Sequence, residues 1–120
     1  KDIKISTEWY SKVLGLVRYE MPEWGPFPVF MLSGKTGVAL FPANVNDPQI
    51  DNQSKNSKID HFAFNVTHDN FEIAKKHYDE LELTYNFEDH VYFHSLYTKD
   101  PDGHTVELTT LVVNENEFYK

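Results

Sequence analysis

Two residues on separate segments carry side chains that could share a cation or a proton: His61 in IDHFAFNV (59–66) and Glu107 in HTVELTTL (104–111). An imidazole nitrogen and a carboxylate oxygen are the donors a divalent cation takes where no thiolate exists, and this chain has no cysteine. Both segments read as strands. A period of two puts His61, Ala63 and Asn65 on one face of the first, with Phe62, Phe64 and Val66 on the other. In the second, Glu107 shares a face with Thr105 and Thr109, while Val106 and Leu108 point away. The apolar faces belong against a helix layer, so His61 and Glu107 are both expected on an inward polar face. An imidazole and a carboxylate there are costly to desolvate unless paired or bound to a cation. Spacing alone leaves the alternative open that Glu107 is a half-exposed strand residue and His61 a satisfied core histidine.

The elements that must position this pair are legible along the chain. DIKISTEWYSKVL (2–14) has Ile5, Trp9 and Val13 at helical spacing and is followed by Gly15, a helix-ending residue. LVRYEM, the loop PEWGPF, PVFMLS, the turn GKTG and VALFP then predict a meander of three short strands. The polar stretch 44–58 reads as a linker. After it comes the His61 strand, and then a helix over DNFEIAKKHYDELEL, with Asp69 and Glu72 at capping-box spacing and Phe71, Ala74, Tyr78 and Leu81 on one face. Strands follow near 84–87, 93–99 and 104–112, the last two joined by the turn DPDG. Aligning the helix starts (Asp2, Asp69) or the last strands (Ala39, Glu107) gives nearly the same offset, so the plan occurs twice. The second half has a strand ahead of its helix, and the first half begins at its helix. A further strand is therefore expected ahead of Lys1. The organisation expected is one domain: module one 1–43, linker 44–58, module two 59–112 and a C-terminal tail 113–120.

Composition narrows the function classes. The chain has 120 residues, enough for one ordinary core. Its formal charge of −8, with Arg18 the single arginine, disfavours nucleic acid and anionic membranes as partners. No apolar run is long enough to span a bilayer, and KDIKIS does not read as a signal peptide, so a cytoplasmic protein is expected.

With these elements in place, the pattern DIKISTEWYSKVLGL, a strand meander, KIDHFAFNV, a helix and SLYTKDPDGHTVEL resembles the vicinal oxygen chelate superfamily of glyoxalases, bleomycin resistance proteins and type I extradiol dioxygenases. The resemblance implies an α+β fold of two βαβββ modules forming a half-open barrel, with the first strand of module one missing from this chain. It also implies that His61 and Glu107 are ligands of a divalent metal ion. The stretch DHVYFHSLYTKDPDGHTVE resembles the extradiol dioxygenase signature in particular, with Glu88 standing where that signature prefers a small or aliphatic residue. By that resemblance His90 is an acid/base residue and Tyr97 orients the substrate, a small diol. Fe(II) is the favoured metal, with Mn, Ni and Zn as alternatives, and the third ligand would come from the absent first strand. A glyoxalase-like lyase would use a second carboxylate at the position of Ala39, where none stands. A bleomycin-resistance-type protein would bind a ligand without catalysis. A small-molecule substrate and a homodimer complete the expectation.

Overall fold

Asp2 opens the first helix, α1 (Ile3–Leu14), by accepting backbone hydrogen bonds from Lys4 and Ile5, and Gly15 closes it in the left-handed conformation at φ 68°. The computed structural model describes residues 1–46, 48, 51 and 59–119. Most of the predicted linker lies outside them. The described residues form two compact units, Lys1–Asn56 with Asp100–Asp102, and Ser57–Lys99 with Gly103–Lys120.

In the first unit α1 precedes an antiparallel meander of β1 (Val17–Tyr19), β2 (Val29–Ser33) and β3 (Thr36–Leu40), in sheet order β1-β2-β3. A short 3-10 turn at Pro22–Trp24 lies between β1 and β2, and Gly34 and Lys35 turn β2 into β3. Val29 and Met31 are buried on one face of β2. The helix buries Ser6, Thr7, Tyr10 and Val13. This corrects the stripe expected from spacing, because Ile5 is exposed. The reason is polar: the Tyr10 hydroxyl donates to the buried Asp100 carboxylate at 2.9 Å, and Ser6 donates to Asp102 at 3.4 Å. Those partners turn the hydroxyl-bearing face inward.

The second unit is a four-stranded sheet in the order β4-β7-β6-β5, from β4 (His61–Asn65), β5 (Asn86–Asp89), β6 (Phe93–Lys99) and β7 (Thr105–Leu111). β4 runs parallel to β7; the other two pairings are antiparallel. The helix α2 (His68–Glu80) covers one face, with Phe71 and Tyr78 fully buried as their spacing predicts. Burial of the Phe71 side chain contributes about 1.5–3 kcal/mol. The helix cap differs from the expected Asp69: Thr67 accepts the Asn70 amide through its hydroxyl oxygen. β5 starts two residues later than expected. The segment expected to be a tail holds a short helix, α3 (Glu115–Phe118), whose Phe118 ring meets Phe93 at 4.7 Å.

The fold class is α+β, as expected, with two sheets and three α-helices among the described residues.

Candidate functional site

The register of the second sheet brings the predicted residues together. His61 lies opposite Thr105, Ala63 opposite Glu107, and Glu107 opposite Tyr97, so β4, β7 and β6 present one polar face made of His61, Glu107 and Tyr97. The other face holds Phe62, Phe64, Val106, Leu108 and Leu96, and three of these aliphatic side chains are buried. Alternation along each strand therefore decides where the chemistry sits. His94, in the opposite phase, turns toward Phe71 and Phe87 and away from this face.

His61 Nε2 and Glu107 Oε2 face each other 3.1 Å apart. Glu107 is almost fully buried and His61 is partly exposed. On its other ring nitrogen, His61 Nδ1 meets Asp60 Oδ2 at 2.8 Å. A carboxylate accepts only, so Nδ1 carries the proton of that bond, and a neutral ring then turns the lone pair of Nε2 toward a second carboxylate. Two acceptors at 3.1 Å repel each other unless a proton or a cation stands between them. Two donors each about 2.1 Å from one ion, at a right angle, lie about 3 Å apart, so the spacing suits a shared metal. The Asp60–His61 bond is also the kind of outer partner that fixes the tautomer of a metal-bound histidine.

The donor set fits part of a cation's shell: one imidazole and one carboxylate. Among the described residues, no group of three His, Cys, Asp or Glu side chains comes together to complete it.

Tyr97 and His90 extend the cluster. His90 Nε2 and the Tyr97 hydroxyl are 3.0 Å apart, and the Tyr97 ring stands edge-on to both His61 (5.7 Å) and His90 (6.2 Å). Burial, then the charge and hydrogen bond of Glu107, push the Tyr97 hydroxyl above its ordinary range, so Tyr97 keeps its proton and acts as a donor. His90 reaches it from the turn between β5 and β6. That turn is built by Asp89, which accepts the Val91 amide at 2.8 Å, and by the His90 amide, which donates to the Phe93 carbonyl at 2.8 Å. Val91 there has φ 71°, a left-handed conformation that a β-branched residue adopts only under strain.

Three of the predicted residues, His61, Glu107 and Tyr97, thus share one sheet face, and His90 reaches Tyr97 from the adjoining turn. Sequence reasoning missed Asp60; its signal was adjacency, a carboxylate directly before the histidine in IDHF. His68 opens α2, His77 lies on α2 and His104 follows the DPDG turn.

The sequence profile of the Glyoxalase/Bleomycin resistance protein/Dioxygenase superfamily matches residues 1–108, and the chain belongs to that superfamily. No curated protein matches it. Among solved structures, it is similar to an integron cassette protein from the mobile metagenome of the Halifax Harbour Sewage Outfall, with 26% identity and a TM-score of 0.68, covering 92% of this chain and 90% of that one. It is also similar to a lactoylglutathione lyase from Agrobacterium tumefaciens (24% identity, TM-score 0.63, 91% and 85% coverage). A glyoxalase/dioxygenase from Nostoc punctiforme gives a TM-score of 0.73 at 19% identity, over 93% and 85% of the two chains. The last two likenesses are of fold alone.

Proposed function

We propose that this chain is a divalent-metal-dependent enzyme acting on a small molecule with two neighbouring oxygens, in the manner of an extradiol dioxygenase on a small diol. The observation that carries the proposal is the facing pair of His61 Nε2 and Glu107 Oε2 at 3.1 Å, with Asp60 holding the opposite ring nitrogen. In this reading His61 and Glu107 hold the metal, and Fe(II) is favoured because a mixed imidazole and carboxylate set leaves positions open. When bound, the ion supplies Lewis acidity and a template for the paired oxygens.

The remaining steps belong to side chains. Tyr97 donates its hydroxyl proton in a hydrogen bond to a substrate oxygen and so orients the ring. His90, within hydrogen-bond distance of Tyr97, accepts the proton a substrate hydroxyl gives up and returns it later at Nε2. Glu107 is nearly buried, which shields its carboxylate from bulk water.

The test is a panel of catechols with protein reconstituted anaerobically with Fe(II) and then exposed to O2. The yellow ring-opened product is expected, and His90→Asn lowers its rate of formation about 10²-fold or more. Absence of colour with every diol, together with turnover of a hemithioacetal, would move the assignment to a glyoxalase-like lyase. A second reading, a ligand-binding protein without catalysis, is favoured by the two-member donor set among the described residues. It predicts ligand binding that is indifferent to metal and unchanged by His61→Ala.

A further inference from the structure

Glu88 sits two residues before His90, at the position where this sequence departs from the dioxygenase-like pattern. In β5 it lies opposite Ser95, and Ser95 lies opposite Thr109. Residues directly opposite one another share a face, so Glu88 is on the polar face that carries Tyr97 and Glu107. Its row is adjacent to theirs along β6, a step of about 7 Å at the rise of a strand. Among the described residues Glu88 has no hydrogen bond and no cationic partner. Ser95 and Thr109, its row neighbours, are hydrogen-bonded to each other at 3.2 Å. Lys99 lies on the same face but two rows beyond Ser95, about 13 Å along the strand, and its ammonium is bonded to the Thr105 hydroxyl.

The next row, on the side away from Lys99, is aromatic. Phe93 precedes Ser95 in the same phase and packs edge-on against Phe118, which also meets Tyr92 and Tyr119 at 5.6 and 5.0 Å. Tyr92, Phe118 and Tyr119 are all exposed, so the rings form an open rim around Phe93, one row along β6 from the row that holds Glu88. A carboxylate next to accessible aromatic faces is the setting that attracts an organic cation, through charge and through the ring quadrupole together.

We infer that Glu88 and the rim of Phe93, Tyr92 and Phe118 form a specificity subsite for an organic cation. The ligand therefore carries an ammonium-type group on the Glu88 side of the face, two strands and one row from Glu107, about 12 Å between their backbone positions. The inference rests on the proposed reading of that pair only for where the rest of the ligand lies; the subsite itself stands on Glu88 and the rings. It selects amine-bearing ligands and rejects carboxylated ones of the same size.

The experiment measures binding by calorimetry at low salt for two matched pairs of probes. The first pair, 2-phenylethylamine and phenylacetate, has no paired oxygens and tests the subsite alone. The second pair, dopamine and 3,4-dihydroxyphenylacetate, adds the vicinal oxygens. In each pair the amine is expected to bind at least about fivefold tighter than the acid, a margin that shrinks as salt screens the exposed carboxylate. Glu88→Gln brings the ratio to within about twofold, and Glu88→Lys inverts it. Equal binding of amine and acid, a ratio unchanged in Glu88→Gln, or no detectable binding of 2-phenylethylamine would each overturn the subsite. Discrimination within the first pair with no gain from the vicinal oxygens in the second supports the subsite while removing the diol reading. Turnover of both diols without discrimination removes the subsite and leaves that reading in place.

Discussion

His61 is held between two carboxylates, and what separates a metal ligand from an imidazolium is what stands between its Nε2 and Glu107. Asp60 takes no part in that gap, yet it decides which ring nitrogen faces it. Under the metal reading, Asp60→Asn weakens metal affinity about 10- to 100-fold without removing a ligand, measured by competition with a chelating dye. An unchanged affinity would show that the Asp60 bond is incidental. A different residue, Tyr78, carries a stability prediction. Its hydroxyl is fully buried with no hydrogen-bond partner among the described residues, although its ring packs against Tyr85 at 5.6 Å. Tyr78→Phe removes the stranded hydroxyl and keeps the ring, so it should stabilise the fold by about 1–3 kcal/mol, read as a higher urea midpoint at constant slope. A lower midpoint would mean that the hydroxyl is satisfied after all. At this scale the sequence was informative where alternation decides the outcome. His61, Glu107 and Tyr97 took their predicted face because a period of two leaves no other choice once Phe62, Val106 and Leu108 face the core. Asp60 was missed because a residue at the edge of a strand has no face assigned by period.

Elements position these residues, and the turn between β5 and β6 bears the strain of doing so. Val91, at φ 71° and highly exposed, keeps the chain in the path that delivers His90 to Tyr97. Val91→Gly relieves a left-handed β-branched residue and is expected to stabilise by about 1 kcal/mol, while loosening His90 and lowering turnover. Unfolding and rate measurements on the same variant check both halves; loss of stability would contradict the strain account. In the first sheet, Gly37 has no room for a side chain, since a Cβ there would lie 2.0 Å from the Met31 carbonyl oxygen. Gly37→Ala should therefore destabilise that sheet by about 2 kcal/mol or more, because backbone atoms must shift. Helix ends were legible: Asp2 and Gly15 bracket α1 as their chemistry demands. The buried face of α1 was not. Apolar and hydroxyl-bearing residues are interleaved along it, and the choice fell to Asp100 and Asp102, whose carboxylates accept from Tyr10 and Ser6. Those partners lie about a hundred residues away in the chain, beyond the reach of any local pattern. β5 came two residues late because its boundary is set by the turn at Asp89, not by propensity.

For the molecule as a whole, buried tyrosines tie stability to alkaline pH. Burial, then the hydrogen bond and charge of Asp100 and the charge of Asp102, push Tyr10 far above its ordinary range, and burial does the same for Tyr78. The folded chain keeps protons that the unfolded chain releases near pH 10, so their contribution is complete below about pH 10 and declines as pH rises past it. Each of these two tyrosines adds a loss of up to about 1.4 kcal/mol per pH unit in that window, and Tyr78→Phe should remove its own share of the slope. Stability that is flat from pH 10 to 11.5 would refute this. For the expected homodimer, light scattering should give twice the mass of a single chain, and the mass of one chain would contradict it. Superfamily and fold class were legible because the DPDG turn and the two strand faces fall in fixed phase. The proposed reaction was not, because it depends on the ligand and on what would complete the shell of the proposed metal. The measurement that reaches furthest is an anaerobic titration with Co(II), followed by its visible absorption, on the wild-type chain and on His61→Ala and Glu107→Gln. Saturation at one ion per chain, lost in both variants, is the predicted result; no saturable binding, or binding that both variants retain, would contradict the shared-cation account of His61 and Glu107.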